Sequence, residues 1–328
     1  MSTDLHVVLG AGGGTGSAVV RELVTRQIPV RAVTRRPHVD LGAGVEELGV
    51  EAMTADLADA AQARDAVAGA TVVYHAANVP YPRWLDEFPA LNRNVIAAAA
   101  AAGARIVFAD NLYMYGPDAG LMTEDTPHHA SDKKGQLRSR LARELLAADE
   151  AGEVSVAIGR STDYFGPGGL GSALGERLFD AAVRGKRVPW LGDADVPHSV
   201  AFLPDVARGL VTLGLAEAAG GQVWHLPSCS APTGREFVAS IAEAVGRPLK
   251  VTVNRRWMLR ALGLFSPLVR ELAEVLYQWE APFVSSDARF QAAFGPQPPT
   301  PLGEAVAATA EWYTARASRG TAGGAAGD

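Results

Sequence analysis

A chain of 328 residues can bury a substantial core as one large or two modest domains. Its 48% hydrophobic and 20% charged residues fit a soluble globular protein, and a formal net charge of −6 argues against a general nucleic-acid binder. The single cysteine, Cys229, excludes an internal disulfide and suits a reducing cytoplasm, and the apolar stretch 95–102 is too short to span a membrane.

The first strand begins almost at once, so no signal peptide is expected. The run His6-Val7-Val8-Leu9 reads as a buried strand that ends in a glycine cluster, and Val19, Val20, Leu23 and Val24 follow at the spacing of a helical apolar stripe. Strand, glycine turn and helix form the arrangement that holds a diphosphate on free backbone N–H groups at a helix N-terminus. The pattern G-x-G-x-x-G fails at Thr15, and no Gly-Lys-Ser/Thr follows for a P-loop. What fits is G-x-x-G-x-x-G at Gly10, Gly13 and Gly16. Gly10, Gly13, Gly14, Thr15 and Gly16 are therefore the expected diphosphate site.

Val30-Arg31-Ala32-Val33-Thr34 reads as the second strand. An acidic residue at its end would bond an adenosine ribose 2′-hydroxyl, whereas arginine suits a 2′-phosphate. Thr34 stands in that place with Arg35 and Arg36 behind it, which favours NADP over NAD; the alternative is a solvated turn. A third strand over 50–54 ends at Asp56-Leu57, placed to face an adenine ring. The fourth, Thr71 to His75, ends in the small residues Ala76 and Ala77, which let a cofactor backbone approach, and His75 reads as a packed histidine. A helix over 85–102 leads to the fifth strand, Arg105 to Ala109, and then Asp110-Asn111-Leu112-Tyr113-Met114-Tyr115-Gly116-Pro117. Strands alternating with helices predict an α/β fold, a Rossmann-type doubly wound parallel sheet with its site at the strands' carboxyl ends.

A helix over 131–151 buries Leu137, Leu141 and Leu145, and Lys134 points along that stripe, while Arg138, one turn later, reads as an exposed helix arginine, the alternative being that it joins the site. His128-His129 lack partners at ligand spacing, so no metal is expected. A sixth strand over 154–158 brings Arg160 to the sheet edge. The dinucleotide domain is expected over 1–165, with 197–227 returning to it, including a helix over 205–215 capped by Asp205 and a strand over 222–226. Residues 166–196 and 228–316 form a smaller substrate-binding portion, and 317–328 a disordered tail. Tyr81, Trp84, Tyr164, Phe165 and Trp190 are expected to line an apolar substrate pocket, and His198 to be either a substrate contact or structural.

These motifs resemble the extended short-chain dehydrogenase/reductases, the family of NAD-dependent epimerases and dehydratases. The resemblance rests on the glycine triplet, Asp56-Leu57, His75-Ala76-Ala77, Tyr115-Gly116-Pro117, Gly159-Arg160, Tyr164-Phe165-Gly166-Pro167-Gly168 and Phe202-Leu203-Pro204-Asp205-Val206-Ala207. It implies redox chemistry by a Ser/Thr, a Tyr and a Lys, with the Tyr four residues before the Lys. Lys134 matches the lysine, Asn111 stands in the Ser/Thr place and Ala130 in that of the tyrosine. Three replacements for the missing acid are open: a relocated phenol, with Tyr164 ahead of Tyr113 and Tyr115; Lys134 itself; or Asp132 or Asp163. The expected function is an NADP(H)-dependent oxidoreductase or epimerase/dehydratase-like enzyme acting on a small or medium carbonyl or hydroxyl compound. The alternatives are a redox-silent NADP(H)-binding regulator or scaffold, and a non-redox isomerase or cyclase. The resemblance also implies a homodimer through the helices flanking the fifth strand.

Overall fold

The computed structural model describes residues 4–37, 49–263 and 267–324. The first half alternates strand and helix: β1 (Leu5–Leu9), α1 (Gly14–Thr25), β2 (Val30–Thr34), β3 (Glu51–Thr54), α2 (Ala60–Val67), β4 (Ala70–His75), α3 (Trp84–Ala102) and β5 (Arg105–Asp110). After the short β6 (Leu121–Met122) come α4 (Lys133–Glu150), β7 (Val156–Arg160) and β8 (Asp163–Phe165). The remainder runs through α5 (Glu176–Val183), β9 (Val188–Leu191), β10 (Val200–Phe202), α6 (Leu203–Leu215), β11 (Gln222–His225), α7 (Gly234–Ala244) and β12 (Val251–Asn254). It ends with α8 (Arg256–Gly263), α9 (Pro267–Glu274), β13 (Val284–Ser285), α10 (Ala288–Phe294) and α11 (Leu302–Gly324).

The central sheet has seven strands in the order β3-β2-β1-β4-β5-β7-β11, all parallel. Side chains alternate across it with the period of two that a strand imposes. Val7 and Leu9 face one core with α2, α3 and α4, whereas Val8 faces the other with α1 and α6. Strand order reverses between β1 and β4, and the crevice outside the carboxyl ends there is where such sheets bind ligands. A smaller core gathers Phe179 of α5, Phe237 of α7 and Tyr313 of α11, with β9 and β12 paired beside it.

Four expectations are corrected. Asp205 does not cap α6, because β10 runs straight into the helix and Phe202 holds the cap position. Asp205 instead lies inside the first turn, 1% exposed, accepting from Thr300 N and Oγ1 and pairing with Arg208. Phe165 and Trp190 do not face a substrate; both are buried in the smaller core, which needs large apolar side chains of its own. Arg138 is buried, not exposed. Finally, α11 continues through Gly324, so most of the segment expected to be disordered is helical. Residues 325–328 lie outside the described residues.

Candidate active site

The glycine turn is held by close packing. Gly10 has φ +81°, and a Cβ there would sit 2.6 Å from Ala77 Cα. A Cβ on Gly16 would lie 2.2 Å from the Gly10 carbonyl oxygen. Helix α1 therefore starts tight against β1 and β4. Gly13 occupies the cap position without a capping side chain, and no acidic residue stands in the first turn. The unsatisfied N–H groups and the positive end of the helix dipole are left to an anion. This fits the diphosphate of a dinucleotide.

A cavity of about 730 Å³ opens there. It runs from Gly12, Gly13, Gly14 and Thr15, past Ala76 and Ala77 of β4, to Asn111 and Tyr113 beyond β5 and to Ser161, Thr162 and Asp163 beyond β7. Gly14 lies against Gly168 and Gly169, so the glycine-rich segment after β8 closes over the turn. On the adenosine side, Arg35 and Arg36 follow β2 and are exposed, with the Thr34 hydroxyl donating to the Arg36 carbonyl. Asp56 is exposed and its carboxylate accepts from Ala58 N, while Leu57 is buried.

The far end of the cavity is aromatic. Tyr81, Trp84 and Tyr113 line it, with the Trp84 and Tyr113 rings stacked at 6.2 Å. Asn111 accepts from Tyr113 N through its side-chain oxygen, which leaves its amide hydrogens for the cavity. Tyr164 also lines the cavity, and Thr15 at the glycine turn lowers its phenol against the effect of burial. Burial raises the Tyr81, Tyr113 and Tyr164 phenols, and the negative charge of Asp163 adds to each shift. Asp132 is the N-cap of α4 and accepts from Gly135 N.

Lys134 and Arg138 stand one turn apart on α4, both facing the sheet. Lys134 is 1% exposed; its ammonium lies over the Tyr81 ring and pairs with Glu271 and Glu274 of α9, and it does not line the cavity. Arg138 does line it. Its guanidinium sits over Trp84, Phe88 and Phe108, with Asp110 at 3.5 Å. Nε and Nη1 have no hydrogen-bond partner among the described residues. Burial lowers its pKa and Asp110 opposes that. The signal for Arg138 was present in the sequence: it precedes Leu141 and Leu145 by the spacings at which Lys134 precedes Leu137 and Leu141. Ala130 lies before α4 rather than on it, packed against Gly135.

Beneath this floor a buried polar chain ties the strand ends together. Arg160 donates to Asp110 at 3.2 Å and to the Tyr115 hydroxyl at 2.8 Å. Tyr115 in turn donates to His225 Nε2 at 2.6 Å, and His225 Nδ1 donates to the Ser286 carbonyl. Burial pushes His225 down to about 3, so the ring is neutral, as that acceptor role requires. Tyr115 is therefore structural. His75 lies between Phe88 and Phe108 and is pushed down to about 3 by burial; neither of its nitrogens has a partner among the described residues. His128 bonds Ser139, and burial pushes the Cys229 thiol up to about 12, far from a nucleophile's range. Among the described residues no cluster of His, Cys, Asp and Glu could hold a metal, and no helix is long and apolar enough to cross a membrane.

Comparison with known proteins agrees with this geometry. The chain is 28% identical over 300 residues to a 2-alkyl-3-oxoalkanoate reductase of Stenotrophomonas maltophilia, covering 82% of this chain and 88% of the relative. It is 25% identical over 249 residues to 4-hydroxy-2-methyl-3-oxo-4-farnesyl-3,4-dihydroquinoline-1-oxide ketoreductase of Stigmatella aurantiaca, covering 73% and 72%. Among solved structures, MoeE5 in complex with UDP-glucuronic acid and NAD superposes with a TM-score of 0.75 at 24% identity, over 95% of this chain and 99% of that one. A dTDP-glucose 4,6-dehydratase from Streptomyces venezuelae with NAD bound gives 0.76 at 19%, over 96% and 98%. The family model described as NAD dependent epimerase/dehydratase matches residues 6–226, and with the parallel sheet, the glycine cradle and the cavity at its mouth, the chain belongs to that family.

Proposed function

We propose that this protein is an NADP(H)-dependent reductase of small to medium apolar carbonyl compounds. The observation that carries this reading is one continuous cavity, from the glycine cradle to an aromatic chamber whose substrate end holds the carboxylates Asp163 and Glu176 and the exposed Arg177. The relatives named as a 3-oxoalkanoate reductase and a ketoreductase support carbonyl reduction.

When bound, a nicotinamide dinucleotide supplies the hydride. The residues proposed to hold it are Gly10, Gly13, Gly14, Thr15 and Gly16 at the diphosphate, Arg35 and Arg36 at a 2′-phosphate, Asp56 and Leu57 at the adenine, and Ala76 and Ala77 along its backbone. Asn111 would donate its amide hydrogens to the substrate carbonyl. Lys134 is the family match for the ribose, but its ammonium is taken up by Glu271 and Glu274. Arg138, one turn on and lining the cavity, is the better candidate for the ribose hydroxyls. Tyr164, beside Thr15, would steady the glycine turn rather than act on the substrate.

Fluorescence titration with NADPH and with NADH tests the cofactor reading. NADPH should bind at least about tenfold more tightly, a difference of ~1.4 kcal/mol, and Arg35→Ser with Arg36→Ser should remove that preference while leaving NADH binding unchanged. Equal affinities in the parent protein would refute the 2′-phosphate assignment. Oxidation of NADPH in the presence of ethyl benzoylacetate, an aromatic keto ester, then tests the reductase. The engagement of Lys134 by α9 favours a second reading, a redox-silent NADPH binder. Tight binding without oxidation of NADPH by any carbonyl would support it.

A further inference from the structure

The cavity is lined by three phenols that hold their protons tightly, Tyr81, Tyr113 and Tyr164, and by Asp163, whose carboxylate does not stand alone. Asp163 Oδ2 lies 2.9 Å from His198 Nε2. On the other side of the ring, His198 Nδ1 lies 3.0 Å from the Gln278 carbonyl oxygen. A carbonyl only accepts, so Nδ1 carries a hydrogen and donates it. That leaves Nε2 facing a carboxylate oxygen. Two lone pairs at this distance would repel, so a further hydrogen lies between them, on Nε2 or on Oδ2. The pair therefore holds one proton beyond a neutral imidazole and a free carboxylate.

We propose that Asp163 and His198 store one transferable proton at the substrate end of the cavity, and that Asp163 passes it to the substrate oxygen in place of the phenol that Ala130 lacks. Asp163 is the catalytic residue and His198 positions and reloads it. The proposal rests on the carbonyl-reductase reading above.

Three features support it. Asp163 lines the cavity, and β5 and β7 are paired through Asp110 and Arg160, so Asn111 and Asp163 project from neighbouring strand ends. His198 is 1% exposed and lies flat between the rings of Trp279, at 4.0 Å and 11°, and Phe283, at 5.3 Å and 23°. Two aromatic faces favour a cationic ring, so the proton rests on Nε2 until negative charge develops nearby. The groups facing Asp163 are Tyr81, Tyr113, Tyr164 and Tyr277. Burial raises all four, with its carboxylate adding to the effect, and none is poised to exchange a proton near neutrality.

The step balances. The carbonyl carbon gains a hydride from the reduced dinucleotide, and the charge appearing on its oxygen draws the proton. The Nε2–H bond breaks and an Oδ2–H bond forms. A turn about the soft Cβ–Cγ torsion presents this hydrogen to the substrate, where the Oδ2–H bond breaks and the alcohol O–H bond forms. A solvent proton then returns to Nε2.

The test needs no substrate at first. In protein labelled with ¹⁵N-histidine and ¹³C-aspartate, nuclear resonance of the free and NADPH-bound forms should show His198 with both nitrogens protonated. In Asp163→Asn the side-chain amide can donate to Nε2, and the ring should become neutral. A neutral His198 with a bare Nε2 beside an ionised Asp163 in the parent protein would overturn the proposal. With ethyl benzoylacetate, Asp163→Asn should lose between about 10²- and 10⁴-fold in turnover, the range of general acid catalysis, with its NADPH affinity kept within about twofold. Parental turnover in that variant would also overturn it. A parent protein that binds NADPH but reduces no carbonyl would count against the reductase reading instead, and the resonance experiment would still decide where the proton lies.

Discussion

At the scale of single residues, the cradle depends on what is missing from it. Gly16 has no room for a methyl group, since a Cβ would meet the Gly10 carbonyl oxygen at 2.2 Å, and the obstacle is backbone rather than a side chain that could move. Gly16→Ala is expected to destabilise the fold by ~1–3 kcal/mol and to abolish dinucleotide binding, as thermal melts with and without NADPH would show. Melts unchanged by the substitution would mean that the turn is looser than its contacts indicate. The glycine spacing was legible in the sequence because each of these contacts lies within the turn or against the next strand. Arg138 was legible as a candidate for the site, but its burial was not. Its spacing to Leu141 and Leu145 marks the buried stripe, but a buried guanidinium costs too much to expect unless its partners are known. Those partners are Asp110 and three aromatic faces from other elements.

At the scale of elements, the chain uses polar clamps where a pattern suggests simple caps. Both Asp205 oxygens accept from Thr300, across 95 residues, and so fasten the segment leading into α11 onto α6. Asp205→Ala should cost ~1–3 kcal/mol in a denaturant titration, because Thr300 loses its acceptor in a part-buried place, whereas loss of a mere helix cap would cost about 1 kcal/mol. Arg208 alone, retained at the surface, would not compensate. Helix α4 shows the same dependence on context. Its apolar stripe predicts which face is buried, and both Lys134 and Arg138 lie on it. Which of them reaches the cavity is decided by α9 and Tyr81, which absorb the lysine.

At the scale of the whole molecule, stability is linked to pH through histidines whose pKa burial lowers, His75 and His225 furthest among them. His75 and His225 are both held near 3 by burial, whereas in the unfolded chain each titrates near ~6.5. Between those values the unfolded state binds more protons, so stability is fully present above about pH 6.5 and declines as pH falls towards 3. Each histidine contributes at most ~1.4 kcal/mol per pH unit in that window. Chemical denaturation between pH 8 and pH 4.5 should show the decline, and His75→Leu should flatten it, since neither nitrogen of His75 has a partner among the described residues to lose. An acid limb equally steep in the variant would assign the proton uptake elsewhere.

Local pattern was enough to establish the parallel sheet, the glycine cradle and the family. Alternation with a period of two, helical stripes and glycine spacing all act over a few residues, and the forces that select them are short-ranged. The composition of the chemical site was a different matter. The Asp163–His198 bond spans 35 residues and the Lys134–Glu271 pair 137, and each depends on how the smaller core seats α9 and the Trp279–Phe283 segment against the strand ends. A hydrogen bond is made or lost within a few tenths of an ångström, and no spacing rule along the chain carries that precision. The sequence could therefore show an alanine, Ala130, where the resemblance implies a phenol, and only the tertiary structure could set Asp163 against His198 at the cavity.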